Sequence, residues 1–300
     1  MYQGVVILNK ESGFTSFDAV AVCRGIFGQK AVGHTGTLDP MACGVLPICL
    51  GRATKLSDLL TSSEKEYEVE MELGLTTDTD DCTGEVTERT DPSHLGEDEV
   101  KQALLRYLGS YDQVPPRYAA IKKDGRKLYE YARAGIEVEM PGRPVTIYEL
   151  EILEMALPKL SFRVRCSKGT YIRSLCRDVG KDLGTGAIMT ALTRRNSGGF
   201  TLEDAVTLSE LRQAKEEGRL EKLVLPMDRL LLQYPPIHCK EDGRKLLLNG
   251  NALRKEHVQG GELKDGMMYR VYLDDQLAAL YRYQDNRRIL KNEKMLLERG

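Results

Sequence analysis

The sequence lacks the features of a membrane protein, a secreted protein and a zinc-binding protein. It contains no run of eighteen apolar residues, so we expect no transmembrane helix and no membrane partner. Its first ten residues contain no basic stretch followed by an apolar core and a cleavage site, so we expect no signal peptide. The seven cysteines are an odd number without a C-x-x-C pair, which argues against a disulfide framework and a zinc site. The sequence therefore predicts a cytoplasmic protein with reduced thiols.

Motifs for nucleotide and metal chemistry are also missing. The chain contains no G-x-G-x-x-G, no Walker sequence and no H-E-x-x-H. Residues 76–85 are acidic and rich in turn residues, but they lack the spacing of an EF-hand calcium loop. We therefore expect no metal and no cofactor.

Charge is distributed unevenly along a chain whose formal net charge is only −2. Residues 61–103 hold 14 acidic and 3 basic side chains, whereas residues 104–177 hold 14 basic and 8 acidic ones. Residues 240–300 hold 13 basic and 10 acidic side chains. A clustered basic surface binds phosphate groups even on a nearly neutral molecule, although ordinary solvated surfaces give the same composition.

Apolar periodicity predicts a mixture of strands and helices. The predicted strands include residues 5–8, 45–50, 64–74, 145–155 and 160–166. One helix is predicted to begin with Ser16 as its N-cap, and another opens at the capping box of Thr207 and Glu210. Further helices are predicted from residue 97 and from residue 172. Prolines at 235 and 236 indicate a boundary, after which the pattern is that of a small β domain.

Residues 33–55 form the most informative stretch of the chain. Glycines and prolines punctuate its first half, which predicts a shaped loop and not a helix. Asp39 lies in this loop, just before the predicted core strand 45–50, and His34 precedes it by five residues. An Asp-Pro pair is by itself a common turn initiator, so the turn alone assigns no chemistry to Asp39.

The same stretch resembles the catalytic motif of the bacterial tRNA pseudouridine-55 synthases, the TruB family. The family motif G-H-x-G-T-L-D-P-x-A-x-G-V-L is matched at every fixed position. The resemblance implies that Asp39 is the catalytic nucleophile and that His34 contacts RNA near the target nucleotide. It also implies an α+β pseudouridine-synthase fold, with a central mixed, largely antiparallel β-sheet flanked by helices and a small C-terminal β-rich PUA-like domain.

Three further stretches that resemble the family supply the other candidate site residues. Periodicity alone makes Tyr67 a core tyrosine, but the K-x-Y resemblance implies that its ring packs on the flipped uracil. The segment G-T-Y-I-R implies that Tyr171 contacts the substrate and that Arg173 pairs with Asp39. A cation at contact distance lowers the pKa of an aspartate by about 1–3 units, so we expect an ionised Asp39. Residues 187–194 match a third stretch of the family, which implies that Leu192 forms a wall of the uracil pocket.

The first family motif, N-K-P-x-G-x-T-S, is matched less closely, by N-K-E-S-G-F-T-S. Glu11 stands where the family has proline, and we assign it no role. Lys10 either approaches the active site or is an ordinary solvated lysine, and we expect the second.

The resemblance also assigns RNA-binding parts outside the pocket. Residues 114–143 interleave basic and aromatic side chains and resemble the insertion that closes over the RNA hairpin. An alternative is a surface excursion with its tyrosines turned inward. The predicted domains are a catalytic domain over residues 1–233 and a PUA-like domain over residues 234–300. The basic residues expected to contact the RNA backbone are Lys122, Lys123, Arg126 and Lys127.

These resemblances imply an isomerase that converts uridine 55 in the T-arm stem-loop of tRNA to pseudouridine. The expected form is a monomer that works without a guide RNA. Two alternatives stay open: a non-catalytic RNA-binding or RNA-folding protein, and a guide-RNA-dependent synthase of the archaeal and eukaryotic type. The sequence leaves three routes for Asp39, which are attack at C1′, attack on the base ring and removal of a sugar proton.

Overall fold

The computed structural model describes residues 1–61, 63–119, 121–136, 138 and 140–297, without the side chains of residues 60, 122, 127, 129 and 133. Its strands are, in chain order, β1 (Gly4–Lys10), β2 (Val32–His34), β3 (Cys43–Leu50), β4 (Lys65–Leu73), β5 (Leu75–Thr77), β6 (Val86–Arg89), β7 (Gly109–Gln113), β8 (Lys122–Lys123), β9 (Arg126–Lys127), β10 (Arg143–Ala156), β11 (Lys159–Cys166), β12 (Ala187–Ser197), β13 (Phe200–Thr201), β14 (Pro236–Cys239), β15 (Leu253–Arg254), β16 (Val258–Gln259), β17 (Met268–Leu273), β18 (Gln276–Gln284) and β19 (Ile289–Met295). Its α-helices are α1 (Ser16–Phe27), α2 (Ser57–Thr61), α3 (Glu97–Leu105), α4 (Leu128–Arg133), α5 (Ile172–Asp182), α6 (Leu208–Glu216) and α7 (Arg244–Leu248).

One large sheet organises the first three-quarters of the chain. Its strand order is β1-β3-β12-β4-β11-β10-β7, with β2 added to β3 and β13 to β12. Strands β3 and β12 run parallel, and the other pairs described in this sheet are antiparallel. The predicted mixed, largely antiparallel sheet is therefore confirmed. The parallel pair joins β3, which follows the Asp39 loop, directly to β12.

The two faces of this sheet differ because the strand sequences alternate. On β4, the apolar side chains Tyr67, Val69 and Met71 are buried in one core together with residues of α1, α3, α5 and α6. The intervening glutamates face the other side, where Glu68 lies 2.9 Å from Nη2 of Arg163. Side chains on alternate positions of a strand point to opposite faces. Tyr67, which belongs to the site described below, is therefore on the buried face.

The start of α1 corrects one prediction. Thr15, and not Ser16, is the N-cap: its hydroxyl accepts from the backbone N–H of Asp18 at 3.0 Å, and the Asp18 carboxylate accepts from the Thr15 N–H in return. Ser16 is buried, and its hydroxyl accepts from the N–H of Leu38 at 2.8 Å. Because the Ser16 hydroxyl binds the Asp39 loop, it is not free to cap the helix, and Thr15 does so instead. The capping box of Thr207 and Glu210 is confirmed at α6.

A second sheet, of order β15-β19-β18-β17-β14-β16, lies in the C-terminal part of the chain. It packs on the side of β1 and β3 that faces away from the main core. Leu280 and Leu296 share a buried cluster there with Val5, Ile7 and Val45. The predicted small β domain is thus present as a sheet, and its assignment as PUA-like stays a prediction.

No helix in the described part of the chain is long and apolar enough to cross a membrane. All seven cysteines are free. Burial raises the pKa of the Cys23, Cys49 and Cys166 thiols to about 12, so these side chains are inert packing groups at neutral pH.

Candidate active site

Asp39 lies in the loop between β2 and β3, and neighbouring elements hold this loop in place. A turn closes behind it, since the N–H of Ala42 donates to the Asp39 carbonyl at 3.1 Å. On the other flank, the buried Ser16 hydroxyl donates to the Leu38 carbonyl at 3.1 Å and accepts from its N–H. The loop is therefore fixed to the first turn of α1. Residues 35–42 form no helix, as the glycines and prolines of the sequence predict.

Lys10 also holds the loop, and the prediction of a solvated lysine is wrong. Only 1% of the residue is exposed. Its ammonium group donates to the carbonyls of Phe14 at 2.6 Å, Glu11 at 2.9 Å and Pro40 at 3.3 Å. Burial lowers its pKa, while the nearby Asp39 carboxylate acts in the opposite direction. Three converging carbonyls replace the water that an exposed ammonium would have.

The structure brings Arg173 and Asp39 together across 134 residues of sequence. Nη2 of Arg173 donates to Oδ1 of Asp39 at 3.2 Å. Nε lies 3.0 Å from Oδ2, as an ion-pair contact outside hydrogen-bond geometry. The two nitrogens thus face the two oxygens side by side, as a planar guanidinium permits and an ammonium does not.

The rest of the Arg173 guanidinium is bound by groups that the sequence did not single out. It donates to the carbonyls of Thr79 at 3.0 Å and Tyr118 at 3.2 Å, and Nη1 lies 3.5 Å from Oδ2 of Asp81. The hydroxyls of Thr79 and Thr83 donate to Oδ1 of Asp81 at 2.8 and 2.6 Å. This set explains a basic residue in the first turn of α5, where the helix dipole disfavours it. In the sequence, the only signal for Asp81 was its position in the acidic segment 76–85.

The pKa of Asp39 is raised and not lowered, which corrects the sequence-based expectation. Burial is the largest cause, and Asp81 adds a like charge. The Arg173 cation acts against both, but it is shared between two carboxylates. One-third of the Asp39 side chain is exposed, whereas 6% of the Arg173 side chain is. The carboxylate therefore faces an opening and the arginine lies beneath it.

Tyr67 and Leu192 lie on adjacent strands of the buried face. Tyr67 on β4 pairs in register with Arg194 on β12, and Leu192 pairs with Val69. Both predicted pocket residues are buried. Burial raises the pKa of the Tyr67 hydroxyl, which the Arg194 guanidinium beside it opposes, so the phenol is neutral at physiological pH.

His34 and Tyr171 flank the loop from two other elements. The half-buried His34 at the end of β2 accepts the N–H of Gly36 on Nδ1 at 3.3 Å. Burial lowers its pKa, so the ring is neutral and its proton is on Nε2. Tyr171 immediately precedes α5, and both Arg173 and Asp39 are close enough to affect the pKa of its phenol. Tyr67 and Tyr171 thus lie within electrostatic reach of Asp39, as Arg173 does. His34 lies at the start of the Asp39 loop, and Leu192 lies on β12 next to β4.

Arg194 is a residue of this region that no sequence motif had singled out. It is 1% exposed, and it donates from Nε to the Val45 carbonyl at 2.7 Å and from Nη2 to the Gly36 carbonyl at 3.1 Å. These carbonyls lie on the two flanks of the Asp39 loop. No carboxylate among the described residues forms an ion pair with Arg194. An arginine two residues after Leu192, on the buried face of a strand, was the available signal.

The basic segment reaches the site through its backbone at Tyr118. Strands β8 and β9 form a hairpin around Asp124 and Gly125, both with positive φ. Lys123 is half-buried and Arg126 is exposed. The carbonyl of Tyr118 is the described contact of this segment with Arg173. The other predicted phosphate contacts, whose side chains lie outside the described residues, are Lys122 and Lys127.

Comparisons with known proteins give matches over most of the chain. A family model for the N-terminal domain of TruB family pseudouridylate synthases matches residues 24–172. A model for the tRNA pseudouridylate synthase B C-terminal domain matches residues 173–232. The tRNA pseudouridine synthase B of Clostridium perfringens is 43% identical over 296 residues, which cover 98% of this chain and 99% of that protein. The enzyme of the same name from Bacillus pumilus is 44% identical over 84% of each chain.

Solved structures give the same fold. A chain in an H/ACA RNP bound to a substrate RNA containing 2′-deoxyuridine is similar with a TM-score of 0.75 and 26% identity, over 99% of this chain and 86% of that one. A chain of a Cbf5-Nop10-Gar1 complex is similar with a TM-score of 0.75 and 28% identity, over 99% of this chain and 85% of that one. With the curated relatives, these matches extend over nearly the full length, and the chain belongs to the TruB family of pseudouridylate synthases.

Proposed function

We propose that this protein converts uridine 55 in the T-arm of tRNA to pseudouridine. The reaction breaks the N1–C1′ bond, turns the uracil and joins its C5 to C1′, and the proton lost from C5 is balanced by the one gained at N1. The observation that carries the proposal is the Arg173 guanidinium at 3.0 and 3.2 Å from the partly exposed Asp39 carboxylate. The curated relatives that match 98% of this chain carry the name tRNA pseudouridine synthase B.

Asp39 acts in this proposal as the nucleophile. A carboxylate attacks only in its ionised form, and burial works against that form. Arg173 stabilises the ionised form of Asp39, because it places one cation beside the carboxylate on the buried side. The exposed side of Asp39 stays available to the nucleoside. Attack at C1′, attack on the ring and removal of a sugar proton all start from this same charged oxygen.

The target nucleoside must leave the base stack to reach Asp39, at a cost of a few kcal/mol. The face of Tyr67 and the side chain of Leu192 offer an apolar surface for the uracil, and the neutral phenol avoids placing a second negative charge near Asp39. The Nε2–H of His34 is left to donate to RNA, because Nδ1 is occupied. Tyr171 contacts the substrate from the other side of Arg173.

The proposed enzyme works in the cytoplasm as a monomer on bare tRNA, without a guide RNA. Relatives named for tRNA are 43% identical over nearly the full chain, whereas the chains from H/ACA complexes are 26–28% identical. On the solvent face of the sheet, Arg163 and Arg165 pair with five glutamates of this same chain. These charges are therefore already balanced without a partner. The C-terminal sheet and the basic segment supply phosphate contacts to the T-arm.

The test is incubation of the purified protein with an unmodified tRNA transcript, followed by mapping of pseudouridine at single-nucleotide resolution. The wild type should modify position 55 without any added RNA or protein. Asp39→Asn keeps the size of the side chain and removes its charge, so it should bind tRNA with nearly unchanged affinity and form no pseudouridine. Product formation by this variant would remove Asp39 from the mechanism. A wild type that binds tRNA without modifying it would support the RNA-folding alternative.

A further inference from the structure

Gln113 is a buried polar residue that the proposed chemistry does not use. It ends β7 immediately before the basic segment and is 2% exposed. A buried amide is unfavourable unless its donors and acceptor are bonded. Here Nε2 donates to the Tyr171 carbonyl at 3.0 Å and to the Tyr111 hydroxyl at 2.6 Å, and Oε1 accepts from the Tyr171 N–H at 2.8 Å. Both donor hydrogens and the acceptor are occupied.

The position that Gln113 holds is the start of α5. Tyr171 is the N-cap of this helix, with an extended backbone and no side-chain capping bond. The N–H of an N-cap residue has no partner within its helix, and Gln113 supplies one. The Tyr171 carbonyl accepts both from Gln113 and from the N–H of Leu175, at 3.1 Å, which is the first hydrogen bond of the helix. One side chain thus fixes both backbone groups of the residue from which α5 begins.

We propose that Gln113 is a positioning residue for pseudouridine formation. It fixes the backbone of Tyr171, and thereby the direction in which Arg173, two residues later, presents its guanidinium to Asp39. This inference rests on the proposed function, because it assigns Gln113 a role in the same site. A displacement of about 1 Å at the reacting groups is enough to lower a rate by about a hundredfold, so a small shift of Tyr171 has a measurable effect.

The same strand region also holds α5 at its far end, which supplies a matched control. The Tyr107 hydroxyl donates to Oδ2 of Asp182 at 3.0 Å, in the last turn of the helix. Both bonds join the β7 region to α5, but only the one at Gln113 is next to Arg173. A purely structural role predicts that removing either bond affects the rate similarly, whereas positioning predicts an effect at Gln113 alone.

The experiment compares Gln113→Met, which keeps the size of the side chain and removes all three bonds, with Tyr107→Phe. Single-turnover rates at saturating protein, tRNA affinity and melting temperature are measured for each. We expect Gln113→Met to reduce the rate about tenfold with tRNA affinity within twofold of wild type, and Tyr107→Phe to keep the wild-type rate. A wild-type rate in Gln113→Met, or an equal reduction in both variants, would overturn the inference.

Two further variants keep the test decisive. In the double variant with Arg173→Lys, the reduction in rate should be less than the product of the single reductions, because Gln113 acts through the arginine; fully multiplicative reductions would contradict that route. If Gln113→Met does not fold, Tyr111→Phe removes only one hydroxyl that binds Gln113 and should slow the reaction about threefold, and an unchanged rate would refute positioning. Failure of the proposed function is distinguishable, since the wild type would then form no pseudouridine.

Discussion

At the scale of single residues, the site contains two carboxylates and one buried guanidinium. Asp39 and Asp81 approach Arg173 at 3.0 and 3.5 Å, and only Asp39 has an exposed side. A buried cation left without its partners is strongly unfavourable, so Asp81 gives Arg173 a carboxylate partner that stays beside it while Asp39 reacts. The division of roles follows from exposure: one acid faces the opening and the other is enclosed.

Replacing Arg173 by lysine should not be a mild change. Lysine keeps the charge but lacks the planar fork that faces both Asp39 oxygens and the carbonyls of Thr79 and Tyr118. We expect the single-turnover rate to fall at least about tenfold, which is about 1.4 kcal/mol of barrier. The control is Arg163→Lys, at an arginine that also binds two carboxylates but lies on the solvent face. Equal activity of the two variants would place Arg173 outside the reaction.

The raised pKa of Asp39 predicts the acid side of the rate profile. The ionised nucleophile disappears as pH falls through its pKa, so the rate should begin to decline above the ordinary aspartate value of 3.8. Asp81→Asn removes a like charge that raises this pKa, and the decline should therefore move to lower pH. Single-turnover rates between pH 4 and 8 test this, with tRNA integrity as the control. If the rate of Asp81→Asn declines at the same pH as the wild type or at a higher pH, the assignment of this decline to Asp39 is wrong.

At the scale of elements, the Asp39 loop depends on the close approach of β3 to β12. Gly44 has φ +103°, and a Cβ there would lie 2.3 Å from the Arg194 carbonyl oxygen and 2.8 Å from its nitrogen. Both atoms are backbone, so neither can move aside cheaply. The parallel pairing of these strands therefore requires glycine at this position, for space as well as for its φ.

Gly44→Ala should consequently destabilise the protein and slow the reaction. Gly199→Ala is the matched control, since its φ is +87° but nothing lies within 4 Å of an added Cβ. The left-handed backbone costs about 1–2 kcal/mol in both variants. We expect the free energy of unfolding to fall by about 2 kcal/mol more in Gly44→Ala, because the added Cβ forces the strands apart. Urea unfolding measures the difference. Equal destabilisation of the two variants would contradict the prediction, because it would show that β3 and β12 accommodate the added Cβ without cost.

The basic segment is predicted to contribute affinity and not chemistry. The variant replaces the four basic residues of the hairpin by alanine, namely Lys122, Lys123, Arg126 and Lys127. Neutralised phosphates release counterions, so tRNA affinity should fall and its log–log salt slope should flatten by about 0.7 for each phosphate of single-stranded RNA that the variant leaves unneutralised. A control variant replaces four exposed basic residues outside the segment by alanine, namely Lys101, Lys159, Arg212 and Lys222. An unchanged salt slope in the hairpin variant would show that these four basic residues do not contact phosphates.

At the scale of the whole molecule, the C-terminal sheet is part of the stability of the catalytic region. Leu280 and Leu296 are buried against Val5, Ile7 and Val45, and Lys55 donates to the Met295 carbonyl at 2.9 Å. Removing residues 234–300 would expose this apolar surface of β1 and β3. Truncation therefore tests folding together with RNA binding, and it does not isolate the binding role of the C-terminal part.

A point change at this junction separates the two effects. Leu280→Ala should lower the free energy of unfolding by about 2–5 kcal/mol, because it leaves a cavity between the two sheets. The activity at low urea should remain near wild type, since Leu280 lies away from Asp39. Leu248→Ala, at an exposed leucine of α7, is the control. Separate unfolding of the C-terminal sheet with full retention of activity would contradict a shared core.

Local chemistry in the chain was enough to predict the loop and most of the helices and strands. Glycine and proline shape residues 33–44, alternation specifies β4, and the match to the family motifs singled out Asp39, Tyr67 and Arg173. The predictions of the loop and of β4 succeed because turn preferences and side-chain periodicity act over a few residues. The roles of Asp39, Tyr67 and Arg173 come from the family resemblance and stay predictions. The prediction of an N-cap at Ser16 was wrong because a tertiary contact to Leu38 uses the serine hydroxyl.

Tertiary structure alone decided the electrostatics of the site. The pKa of Asp39 depends on burial by several elements and on Asp81, neither of which is local in sequence. Lys10 and Arg194 are buried with their charged groups bonded to backbone carbonyls. Pro40 is distant in sequence from Lys10, as Val45 is from Arg194, and no periodicity predicts these two contacts. Desolvation is set by all surrounding atoms at once, so it exists only in the folded chain.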